Sequence, residues 1–144
     1  MEHINWTQDY YLTKSDSELD ALCAEAAGLK LSSLAGEGGW VDDTGALIHL
    51  QSQFKPTSDT NFCLDLLREV AAEGNGIAIN SADVMTKQYG WIIGGFPFEG
   101  NAPLPMVRSM TEDADDFGVF RKNFLRSICV FYILYKHSKE EQYE

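Results

Sequence analysis

The chain is short of positive charge. Eleven Lys and Arg stand against 22 Asp and Glu, and the formal net charge is −11. The shortage is uneven. Residues 1–72 carry 12 acids and 4 bases, and residues 73–144 carry 10 acids and 7 bases. A surface of this sign repels phosphate backbones, which speaks against direct nucleic-acid binding and for basic partner surfaces. Cysteine is scarce as well. Cys23, Cys63 and Cys129 form no CxxC and share no ligand spacing with His3, His49 or His137. An odd count of this kind reads as reduced, buried thiols in a cytosol. Residues 1–11, MEHINWTQDYY, lack the basic and apolar regions of a signal peptide. The longest uncharged apolar run, residues 127–135, falls far short of the roughly 20 residues a membrane helix needs.

Catalytic signatures are missing too. There is no HExxH, no GxSxG elbow and no GxGxxG or GxxxxGK[ST] loop. Calcium would need oxygen ligands at alternating positions, and neither Asp42-Asp43 nor the run Glu112, Asp113, Asp115, Asp116 supplies them. No metal, cofactor or catalytic residue is therefore expected. A spatial triad leaves no mark in sequence, so an enzyme acting on a nucleotide or small signal molecule stays open as an alternative. So does an oligomeric structural or assembly protein.

What is present is a large apolar fraction. Hydrophobic residues make up 44% of the 144 residues, and 17 are aromatic. That excludes disorder and suits one domain over residues 1–144. The densest part is residues 121–137, RKNFLRSICVFYILYKH. Phe120, Phe124, Phe131, Tyr132 and Tyr135, with Leu125, Ile128, Val130, Ile133 and Leu134, leave little polar face. A helix apolar nearly all round has to be covered on most sides, so this segment is expected at the centre of the core.

Local signals place the other elements. Ser15-Asp16-Ser17-Glu18 is a capping box, and Leu19, Leu22, Cys23 and Ala26 follow at helical spacing, giving a helix over 17–27 with Asp20 and Glu25 outward. Residues 36–39 read as a flexible connector. Trp40-Val41, Asp42-Asp43-Thr44-Gly45 and residues 46–50 read as strand, turn and strand. Thr57, Ser58 and Asp59 offer helix caps, and Phe62, Leu66, Leu67 and Val70 give the buried face of a second helix ending near Gly74. Residues 77–80, 84–86 and 89–93 are strand candidates. Residues 96–106, with Pro97, Gly100, Pro103 and Pro105, read as a loop. The sum is an α+β domain with a small, mostly antiparallel sheet packed between helices and a long apolar C-terminal helix.

Two sets of residues suit partner binding. Trp91, Phe96, Phe98 and Met106 fall in or beside the Gly/Pro-rich stretch, and aromatics and Met are enriched in interface cores. The acids Asp42, Asp43, Glu112, Asp113, Asp115 and Asp116 offer electrostatic complementarity to a basic surface.

Three segments carry a family likeness. Lys122-Asn123-Phe124-Leu125-Arg126-Ser127, followed by Ile128-Cys129-Val130-Phe131-Tyr132-Ile133-Leu134, resembles the C-terminal pattern of the phage NinX-like proteins: an Asn, an apolar pair, an Arg, a small residue, then an apolar helix. Leu19-Asp20-Ala21-Leu22-Cys23-Ala24-Glu25-Ala26 and Phe54-Lys55-Pro56-Thr57-Ser58-Asp59 look like the other two anchors of that family and of related phage α-β-α sandwich domains, with Trp40 and Gly45 in the hairpin between. The pattern departs over residues 80–116. The resemblance implies a small accessory protein of a phage or prophage, with no catalytic residues to carry over. Joined to the charge, it implies a protein that binds a host or phage protein. The strong form is an anti-defence, anti-CRISPR-like inhibitor occupying the basic surface of a nucleic-acid-binding effector.

Overall fold

Two of the helices are set by their caps. The computed structural model describes residues 8–34, 37–84, 88–97, 105–111 and 117–142. Helix α1 is Gln8–Leu12 and α2 is Asp16–Ala26. Ser15 caps α2: its hydroxyl accepts from the Glu18 N–H, and the Glu18 carboxylate accepts from the Ser15 N–H. At the other end Gly28, with φ +88°, lets its own N–H reach Glu25 O and the Leu29 N–H reach Ala24 O, a Schellman closure. Helix α3, Thr60–Ala72, begins at Asp59, whose carboxylate accepts from the Asn61 and Phe62 N–H groups. Helix α4 is Phe117–Gln142, longer at both ends than the apolar run alone suggests.

The strands form two separate antiparallel sheets rather than the single sheet expected. The first joins β1 (Lys30–Leu34), β2 (Glu37–Val41) and β3 (Leu47–Leu50) in that order. The second joins β4 (Asn75–Val84), β5 (Gln88–Pro97) and β6 (Met106–Thr111). Several sequence expectations change here. Residues 37–39 are strand, not connector. The side-chain ends of Gln51 and Leu47 lie across Gly38 and Gly39, and a Cβ at either would push those side chains aside. The candidate at 77–80 and Val84, the first residue of the candidate at 84–86, lie along one strand, paired continuously with β5 from Asn75↔Pro97 to Val84↔Gln88, and residues 85–86 lie outside the described residues. Strand β5 runs through Gly94-Gly95 into Phe96 and Pro97, and Met106 opens β6, so the expected 96–106 loop is strand at both ends.

The core is built around the middle of α4. Ile128 to Tyr135 are all buried, eight consecutive residues spanning more than two turns, so no side of the helix there meets water. Helices α1, α2 and α3 pack on it, and so do β5 and β6. Helix α4 thus packs against both the second sheet and the other helices. Ile93 and Val107, paired across β5 and β6, are buried, and Trp91 packs on Phe124 with ring centroids 4.5 Å apart. The first sheet joins the same core through Trp40, with Phe54 just beyond β3. His49 stacks on Phe54 and meets Phe62 edge-on.

Polar staples fix the helices to one another. The Arg126 guanidinium pairs with Asp16 and donates to Leu12 O at 3.1 Å and Lys14 O at 2.6 Å, holding the α1–α2 corner on α4. Lys122 adds a second ion pair to Asp16 at 2.6 Å. Burial alone would raise the Asp16 pKa, but the hydrogen bonds from Lys122 and Arg126 outweigh it and hold the carboxyl below its ordinary range. Asp20, expected outward, is half-buried and accepts from the Thr57 N–H at 3.0 Å. It thereby ties α2 to the turn before α3, and its burial pushes its pKa up.

Candidate functional site

A groove of about 310 Å³ lies between α1, α2 and the C-terminal half of α4. Tyr10 and Tyr11 come from α1, Leu22, Glu25 and Ala26 from α2, and Lys136 and His137 from α4. Arg126 donates to Leu12 O at the end of α1 and to Lys14 O just beyond it, which anchors the helix that carries the two tyrosines. Tyr11 is buried, stacks on His137 at 6.1 Å and meets Tyr10 edge-on at 5.0 Å. Loss of hydration on burial pushes the Tyr11 pKa up to about 12, so the ring stays neutral. Tyr10 keeps 46% of its surface open, and the Lys14 ammonium sits 4.4 Å from its ring centre. Lys136 is already engaged: its ammonium pairs with Glu69 at 2.8 Å and lies over the Tyr132 ring. Glu25 is exposed and makes no ion pair among the described residues.

The second candidate surface is the β2–β3 hairpin. Asp42 is committed to the turn, as its carboxylate accepts from the Thr44 N–H, the Thr44 hydroxyl and the Ala46 N–H. Those bonds, the Thr44 hydroxyl first, hold its pKa below the usual carboxylate range. Asp43 is exposed at the tip. Directly after the turn, Leu47 and Ile48 keep 50% and 45% of their surface open, and Leu31 on β1 is also exposed. The register shifts between Trp40 and Val41, and this bulge lifts Leu47 and Ile48 out of regular alternation.

The remaining sequence candidates scatter. Met106 is 64% exposed on β6, whereas Trp91 is half-buried against Phe124 and belongs to the margin of the core. Phe96 is a β5 residue in register with Gly76. Phe98 and the acids Glu112, Asp113, Asp115 and Asp116 lie outside the described residues. Sequence reading missed the groove altogether. Tyr10-Tyr11 stands out as an aromatic pair, but nothing local joins it to Glu25 or to Lys136 and His137 more than a hundred residues on.

The reactive groups are turned inward. Cys23, Cys63 and Cys129 are free and buried, one from each of α2, α3 and α4. Cys23 Sγ donates to Cys129 O at 3.8 Å and Cys63 Sγ to Leu125 O at 3.6 Å. A hydrogen bond with Cys129 and burial push the Cys63 thiol far up, and Cys129 is raised chiefly by its hydrogen bond with Cys23. Thiols so placed behave as small hydrophobes, not nucleophiles. Among the described residues no group of three or more His, Cys, Asp or Glu is arranged to hold a metal ion, and no helix is long and apolar enough to cross a membrane. The chain matches no family model, no curated protein and no solved structure.

Proposed function

We propose that this chain is a phage-encoded accessory protein that acts by binding another protein rather than by catalysis. In its strong form it is an acidic, anti-CRISPR-like inhibitor of a nucleic-acid-binding effector in the bacterial cytoplasm. The observation that carries the reading is the β2–β3 hairpin, where open Leu47 and Ile48 follow the exposed acid Asp43 on a chain of net charge −11. Apolar anchors beside unpaired acids suit a basic partner: the anchors supply binding energy and the acids speed and orient encounter. The buried thiols accord with a role carried by the surface.

The test is affinity capture from bacterial host lysate with the wild type and with Asp43→Asn/Leu47→Ser, followed by association kinetics on whatever nucleic-acid-binding complex is retained. The reading predicts an on-rate that falls as salt rises and a complex lost in the double variant. Capture insensitive to both salt and the double variant would refute it.

A further inference from the structure

We infer that the groove between α1, α2 and α4 is a docking site for an arginine side chain of a basic protein partner. Four observations on its walls agree. Tyr10 presents an aromatic ring with nearly half its surface open. The Lys14 ammonium, 4.4 Å from the centre of that ring, pairs with Glu18 at 3.8 Å, so its charge is balanced. Glu25 on α2 is an exposed carboxylate without an ion pair among the described residues. Leu22 and Ala26, one turn apart on the same helix, line the groove as well and suit the methylene stem of a long cationic side chain. The one ammonium on the wall, Lys136, is neutralised by Glu69 and does not oppose a second cation.

Arginine fits these walls better than lysine. The planar guanidinium is weakly hydrated, stacks on an aromatic face and offers a fork to a carboxylate, whereas an ammonium is a compact, strongly hydrated charge. A volume of 310 Å³ takes one side chain with room for water. The occupant follows from the charge: an acidic chain repels a second copy of itself and attracts a basic one. The inference rests on the protein-binding reading for its occupant, but the groove's chemistry is tested apart from it.

The experiment is an NMR titration of the isotope-labelled full chain with two probes, a hexa-arginine and a hexa-lysine peptide, repeated on three variants. Glu25→Gln and Tyr10→Leu alter the groove. Asp65→Asn removes the same charge from the exposed face of α3, away from it. The expected result is shift changes centred on Tyr10, Leu22, Glu25 and Ala26, and arginine bound about threefold or more tightly than lysine. Glu25→Gln and Tyr10→Leu should each weaken arginine binding about threefold, with Asp65→Asn close to wild type. Equal affinity for the two peptides, shifts spread over every acidic surface, or equal losses in Glu25→Gln and Asp65→Asn would overturn it. Failure of the lysate capture with the peptide mapped to the groove would refute the hairpin reading and leave this one standing.

Discussion

The two sheets have the same three-stranded antiparallel topology and opposite fates. The second is pressed onto α4 through β5 and β6, with Ile93 and Val107 fully buried. The first reaches the core through Trp40 and, just past β3, Phe54, and it leaves Leu31, Leu47 and Ile48 open. One sheet is a wall of the core. The other is a platform that displays side chains. Topology alone does not separate them; what does is that the second packs directly along α4.

The sharpest way to test that contrast is to empty the core beneath the second sheet. Phe131→Ala removes a fully buried ring from α4. It should cost about 3–5 kcal/mol and unfold the whole molecule in one urea transition. A loss confined to α4, with the first sheet still protected, would break the picture of a shared core. Trp40→Ala should cost less, about 3 kcal/mol, because the first sheet has fewer neighbours to leave unsupported. Hydrogen exchange should then show β1–β3 amides opening while amides of residues 128–135 stay protected. Equal opening of both would make the first sheet as integral as the second.

Smaller changes sharpen the hairpin. Gly45 has φ +85° and open space around its Cα, so Gly45→Ala adds backbone strain without a clash. Its cost should be about 1 kcal/mol by chemical denaturation, with no change in the core's near-ultraviolet spectrum. The least effect is electrostatic. Burial against Phe54 and Phe62 lowers the His49 pKa below its ordinary 6.5, an effect partly offset by Asp65. As pH falls, the unfolded chain therefore takes up this proton first. The stabilisation is full above about 6.5 and is lost as pH drops through the lower, folded-state pKa. His49→Phe should flatten the fall in melting temperature between pH 7 and 5. Parallel curves for variant and wild type would assign the fall to other groups.

Elements set by neighbouring residues were readable in the sequence. Ser15 with Glu18, Asp59 ahead of Asn61 and Phe62, and the Asp42 turn are contacts within four residues, and each stands where the spacing places it. Elements defined by a distant partner were not. Lys30–Leu34 has no clear alternation and is a strand because Glu37–Val41 lies beside it. Gly38 and Gly39 look like a connector until Leu47 and Gln51 are seen crossing them. Met106–Thr111 follows a proline-rich stretch and is a strand through its ladder with β5. Asp20 faces outward on a helical wheel, yet the turn at Thr57 covers it. The groove is the extreme case, since its walls come from three elements and its clamp, Arg126, from a point between them in sequence but not in space.

The position of α4 also bears on how the molecule is made. The helices and strands that pack on residues 128–135 precede that helix in the chain and leave the ribosome before it. Until it emerges, Leu19, Val70, Ile93 and Val107 have no completed surface to close on. Any product cut short before Arg126 also lacks the clamp on the α1–α2 corner. Folding is therefore held back until translation of this region is complete, and truncated chains present their apolar faces to chaperones and proteases instead of persisting as partial folds.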